Sequence, residues 1–213
     1  MKKMRLVIMM MAMALVMVSM LCSCNAAGGS DSYEAPVAHV SEQNSESVVI
    51  DNQEPESPFK AKAVLSGSCL TFYYDDKDHS AEGKVYPVSS EGYNSKGNPW
   101  KDAKFYIVKF DDSCKEWAPE SLAYFFSDCG SAISIDCTNL NTANVTSMNR
   151  MFNNCSSLVA VNMTSLDTSK LENMSNMFRN CITLISADLR NFRAEAIDGS
   201  YGIFTGCNAS VTR

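Results

Sequence analysis

The large apolar positions in the second half of the chain fall into columns. Phe126, Phe152, Phe178 and Phe204 are each 26 residues apart, and so are Cys129, Cys155, Cys181 and Cys207. Val145, Leu171 and Ile197 keep the same step, as do Leu140, Leu166 and Phe192, and Met151, Met177 and Ile203. Five columns at one period define an internal repeat, and a period of this length points to a solenoid. Within a unit, Val145, Met148, Met151, Phe152 and Cys155 are spaced as one face of a short helix. Ser169 and Glu172 have the spacing of a capping box at the start of the next one. In the other half of the unit Val161 and Met163 alternate with polar neighbours, as in a short strand. The pattern therefore predicts an α/β fold, a short leucine-rich-repeat-like solenoid of strand-turn-helix units over 104–213, with the last unit acting as a cap. A single unit cannot bury enough surface to fold alone, so stacking supplies the core.

Ahead of the repeats, Leu70–Tyr74 is β-prone and Val85–Val88 reads as its partner strand, which predicts a β-hairpin cap over 59–103. Lys104–Phe110 is a further strand. The intervening Asp75-Asp76-Lys77-Asp78 lacks the spaced ligands and glycine of a calcium loop and reads as a solvated turn. Residues 25–58 hold seven acids and no Lys or Arg, in a Ser-, Asn-, Gln- and Pro-rich background. Such a segment cannot offset its ordering entropy and reads as a tether with a span of about 30–35 Å.

The first residues differ from all of this. Lys2, Lys3 and Arg5 precede an unbroken apolar run from Leu6 to Val18, the layout of a secretory signal over 1–23. Leu21-Cys22-Ser23-Cys24 resembles the lipobox of bacterial lipoproteins. That resemblance implies cleavage before Cys24, a lipid on its thiol and a membrane anchor. Loss of the leader takes the formal charge from −6 to −9, which argues against a nucleic-acid partner.

Asn141–Leu158 resembles the repeat of BspA-like bacterial surface proteins, and Asp167–Leu184 matches it again, departing at Leu171 and Glu172. Leu70–Asp75 and Phe105–Cys129 are similar to the lead-in of such repeats. The resemblance implies an extracytoplasmic, lipid-anchored, surface-exposed protein whose repeats bind a macromolecule, with a host matrix protein or a glycan as ligand. A spacer lipoprotein with no dedicated ligand is the alternative.

Strand alternation directs the residues flanking Val161 and Met163 outward. Stepping by 26 gives the candidate ligand-binding face: Asp136, Thr138, Asn162, Thr164, Asp188 and Arg190. The two histidines, His39 and His79, fall in the tether and in a turn, and no close Cys-x-x-Cys pair exists. The expectation is a non-catalytic monomer without metal or cofactor. Seven cysteines follow Cys24, and the four periodic ones read as a buried column of reduced thiols rather than as disulfides, on the premise that helices pack about 8–10 Å apart.

Overall fold

The computed structural model describes residues 60–212. The expected signal segment, the expected lipidation at Cys24 and the expected tether fall outside the described residues.

Strands β1 (Lys60–Ser66) and β2 (Cys69–Asp75) form an antiparallel hairpin. Its two-residue connection places Gly67 at φ +57°, the left-handed conformation that hairpin turns ask of glycine. The partner expected for β2 pairs elsewhere. β3 (Lys84–Pro87) runs antiparallel to the outer edge of β1. β4 (Ile107–Phe110) then lies parallel to β2, and β5 (Ser134–Asp136) and β6 (Ala160–Asn162) continue in parallel, giving the order β3-β1-β2-β4-β5-β6. β7 (Ser186–Asp188) and β8 (Ser210–Thr212) form a second parallel pair. The Ile185 amide reaches the Val159 carbonyl at 3.4 Å and carries the stack across the junction.

The helical half of each unit is not helical. The fold is mostly mixed sheet, and the helices among the described residues are a 3-10 turn at Asp112–Lys115 and the five-residue α1 (Ala194–Asp198). This corrects the expected α/β strand-turn-helix solenoid. The reason lies in where the amides go. The N–H groups of Met148, Arg150, Phe152 and Asn154 donate to the carbonyls of Asn173, Ser175, Met177 and Arg179 in the following coil, at 2.8–3.0 Å. The intervening amides close four-residue β-turns instead: Met151 to Met148, Asn153 to Arg150 and Cys155 to Phe152. Every second amide is committed to the neighbouring coil, so no continuous helical ladder can form.

The chain can follow this path because the third residue of alternate turns is left-handed. Tyr124, Arg150 and Asn176 have φ of 56°, 54° and 57°, and Asp128, Asn154 and Asn180 have 65°, 60° and 61°. In the last coil Gly202 and Gly206 occupy the same columns at φ 64° and 77°. This is the position where such turns favour Gly or Asn. The presumed capping box likewise dissolves: the Ser169 amide donates to Asp167 Oδ1 at 2.8 Å in a local turn, and the Glu172 amide bonds to Thr146 of the preceding coil.

The apolar columns do form the core. Phe126, Phe152, Phe178 and Phe204 stack with ring centroids 5.1–5.8 Å apart and planes within 14° of parallel. Met151, Met177, Val145 and Leu171 are buried beside them. The column begins in an aromatic cluster of the cap, where Phe126 meets Phe72 and Phe110 and where Trp100 packs between Phe72 and Phe125. Cap and coils therefore share one continuous core.

The buried polar groups recur too. Thr142 Oγ1 donates to the Asp167 carbonyl at 2.8 Å, and Thr168 Oγ1 to that of Asn191 at 2.6 Å. Cap residues close the first coil: the Tyr93 amide donates to the Ala123 carbonyl at 2.8 Å, and Asn98 Nδ2 to that of Ser127 at 3.0 Å.

Candidate functional site

Parallel pairing of β5 with β6 sets Ile135 beside Val161 and Asp136 beside Asn162. Ile135 turns into the core, so Asp136 and Asn162 must face solvent, and both are exposed. Asn162 Nδ2 donates to Asp136 Oδ1 and to Thr138 Oγ1, each at 3.0 Å. Within each coil the threonine two residues on donates back to the acidic or amide side chain: Thr138 Oγ1 to Asp136 Oδ1 at 2.6 Å, and Thr164 Oγ1 to Asn162 Oδ1 at 2.9 Å. Four of the six predicted face residues thus form one hydrogen-bonded panel.

Asp188 and Arg190 repeat the motif with a stronger couple. Arg190 Nη2 lies 2.6 Å from Asp188 Oδ2, and Nε lies 3.0 Å from Oδ1. The Arg190 guanidinium and backbone amide together hold the Asp188 carboxyl down at about 2. This pair continues the face on β7, in the second sheet, with its hydrogen bonds turned inward on itself.

A second column escaped the sequence reading. Tyr106, Ile133, Val159 and Ile185 each stand one residue ahead of their strand and follow one another across the coils, joined by Ile133 N–H to Tyr106 O at 2.9 Å and Val159 N–H to Ile133 O at 2.9 Å. Tyr106 is 49% and Ile133 40% exposed. The signal was in the sequence: Ile133, Val159 and Ile185 keep the 26-residue step. Ser134, Ala160 and Ser186 share the outward register of Asp136, Asn162 and Asp188.

Elsewhere the titratable groups are used in structure. His79 is buried against the Tyr73 ring, with Nε2 3.1 Å from Asp75 and Nδ1 2.8 Å from Glu82. A groove of about 790 Å³ runs along β1 and β3, lined by Lys60, Tyr74, Tyr86 and Trp117 among others, apart from the predicted face residues. Among the described residues no cluster of three His, Cys, Asp or Glu side chains is placed to hold a metal.

The periodic thiols are unpaired and sit against the backbone. Cys155 Sγ donates to the Phe126 carbonyl at 3.1 Å, Cys181 Sγ to Phe152 at 3.0 Å, and Cys207 Sγ to Phe178 at 2.6 Å. Burial pushes the Cys181 thiol up to about 12 and raises that of Cys155 well above its ordinary value.

Residues 120–211 match a family described as a Mycoplasma protein of unknown function, DUF285. The match begins just ahead of the first left-handed turn and covers the coils, so the repeat region is similar to that family. No curated protein and no solved structure matches the chain.

Proposed function

We propose that this is a non-catalytic, BspA-like surface lipoprotein, anchored outside the cytoplasm through Cys24, whose coils present a binding face to a macromolecule such as a host matrix protein or a glycan. The observation that carries the reading is the exposed panel of Asp136, Thr138, Asn162 and Thr164, tied together by its own hydrogen bonds. A surface whose side chains are already fixed loses little conformational entropy when a partner arrives. The lipobox residues and the acidic tether support the placement, because together they would hold such a face away from a membrane.

The spacer alternative draws on the same bonds: each polar group of the panel already has an intramolecular partner. The two readings separate in a binding screen of the chain from Asn25 onward against matrix proteins and glycans. A ligand should emerge, and the combined change Asp136→Ala, Asn162→Ala and Asp188→Ala should weaken its binding at least tenfold, about 1.4 kcal/mol. A screen without a ligand favours the spacer. Unchanged affinity in a folded triple variant moves the site off this face.

A further inference from the structure

We propose that Cys181 and Cys207 are a site of covalent modification: a pair that closes into a disulfide when a disulfide oxidant is present and staples the last coil to the one before it. The proposal is independent of what the strand face binds. The two residues share a column one coil apart, in coils joined by Phe178 N–H to Ile203 O and Asn180 N–H to Thr205 O, both 2.8 Å. Backbones paired in this way lie about 4.7–4.9 Å apart, and a disulfide spans Cα separations of about 4.4–6.8 Å. The spacing of packed helices, which would have kept these thiols apart, does not apply.

The Cys207 side chain also reaches the turn that carries Cys181. Cys207 Sγ donates to the Phe178 carbonyl at 2.6 Å, and the amide of Cys181 donates to that same oxygen at 3.1 Å. What distinguishes this pair from the rest of the column is access. Cys129, Cys155 and Cys181 are fully buried, whereas Cys207 is only partly buried.

The chemistry is two successive exchanges with a small disulfide. The Cys207 thiolate attacks one sulfur of the oxidant; the external S–S bond breaks, and the departing thiolate takes up the proton that Cys207 released. The Cys181 thiolate then attacks the Cys207 sulfur of the mixed disulfide and expels the second external thiolate, which is protonated in turn. Two protein thiols are oxidised, and one external disulfide is reduced to two thiols. Because burial raises both thiols above their ordinary range, closure accelerates as pH rises.

The test uses the full chain in mild detergent, reduced, freed of reductant, then exposed to glutathione disulfide at alkaline pH. Remaining thiols are alkylated and the peptides mapped by mass spectrometry. The expected product is a Cys181–Cys207 linked peptide, with Cys129 and Cys155 alkylated only after denaturation. The bridge should form at an unchanged rate in Cys155→Ser and be absent in Cys207→Ser. It should also slow proteolysis at Tyr201 and Phe204 several-fold, and reductant should reverse this. Alkylated Cys181 and Cys207 after oxidation, a glutathione adduct persisting on Cys207, or a bridge from Cys181 to Cys155 would each overturn the proposal.

Discussion

The cap and the coils bury similar side chains and hold their backbones in different ways. In the cap, each stabilising contact occurs once. Lys62 pairs with Asp75 at 2.9 Å, His79 is wedged between Asp75 and Glu82, and Asn98 reaches across to the first coil. In the coils the main contacts form series: stacked phenylalanines, thiols on carbonyls, threonine hydroxyls on the next coil's backbone. The amide ladder of Asn180 on Asn154 and Asn154 on Asp128, at 2.8 and 2.7 Å, is another. A series gives each residue two neighbours like itself, so a change in mid-column damages two interfaces, whereas a change in the cap damages one.

The largest effect should come from breaking the phenylalanine column. Phe178→Ala should destabilise by about 3–5 kcal/mol as a large-to-small core change. Both tryptophans, Trp100 and Trp117, lie ahead of the coil turns and report on the cap. Because the core is continuous, their fluorescence midpoint in urea should shift with this distant substitution. A cap transition that stays put while circular dichroism loses the coils would divide the molecule into two folding units.

Next in size is the junction itself. Asn98→Ala removes the donor to the Ser127 carbonyl and leaves a buried acceptor without its partner. We expect a loss of about 1–3 kcal/mol, measured as a lowered midpoint in urea for the whole chain.

The third prediction separates turns from helix. In a helix interior Asn154→Ala would stabilise and Asn154→Gly would cost up to about 1 kcal/mol relative to alanine. At φ +60° the order reverses. Alanine should cost about 1–2 kcal/mol as a left-handed residue, and glycine should cost less. Thermal melts of the two variants, compared directly, decide it.

The smallest effect concerns acid. Burial raises the Asp75 carboxyl, but the Lys62 and His79 hydrogen bonds and charges outweigh it and hold the group below its ordinary 3.8. A folded-state value below the unfolded one means the contribution is complete above about that pH and is lost as pH falls through the folded value. The stability gap between the parent and Asp75→Asn should therefore close below pH 3.8, by less than about 1 kcal/mol in all for a part-exposed pair.

Much of this was legible in the chain. The 26-residue step located the buried columns, the strands β5 to β7 and the outward positions between them. What misled was the spacing of Val145, Met148, Met151, Phe152 and Cys155, which fits one face of a helix and fits a run of overlapping β-turns equally well. Apolar periodicity alone does not distinguish them, because both place every third or fourth side chain inward. The discriminating signal was polar: the column Asp128, Asn154, Asn180 and Gly206 exchanges Asp, Asn and Gly, the residues that tolerate left-handed backbone. β1 and Asn98 were missed because neither belongs to the repeat. Asn98 acts on a carbonyl 29 residues away, a relation that no local pattern announces. Strand alternation accounts for the outward Asp136 and Asn162, while Thr138, Thr164 and Arg190 lie two residues past the strand ends and Tyr106 and Ile133 just ahead of the strands, where that rule does not hold.

The alternating amides of the turn arm have an electrical meaning. Leu122, Tyr124, Phe126 and Asp128 all donate forward to the second coil, and the same direction is kept from the second coil to the third. The peptide units involved therefore point one way along the stack, each with a dipole of about 3.5 D, as peptides do along a single helix. The arm has a negative end and a positive end although no helix runs through it. Tyr93 and Asn98 neutralise the carbonyl end with their N–H groups. At the opposite end the amides of Gly202, Phe204 and Gly206 stand in the equivalent positions of the last coil, so the two ends of the array are not interchangeable.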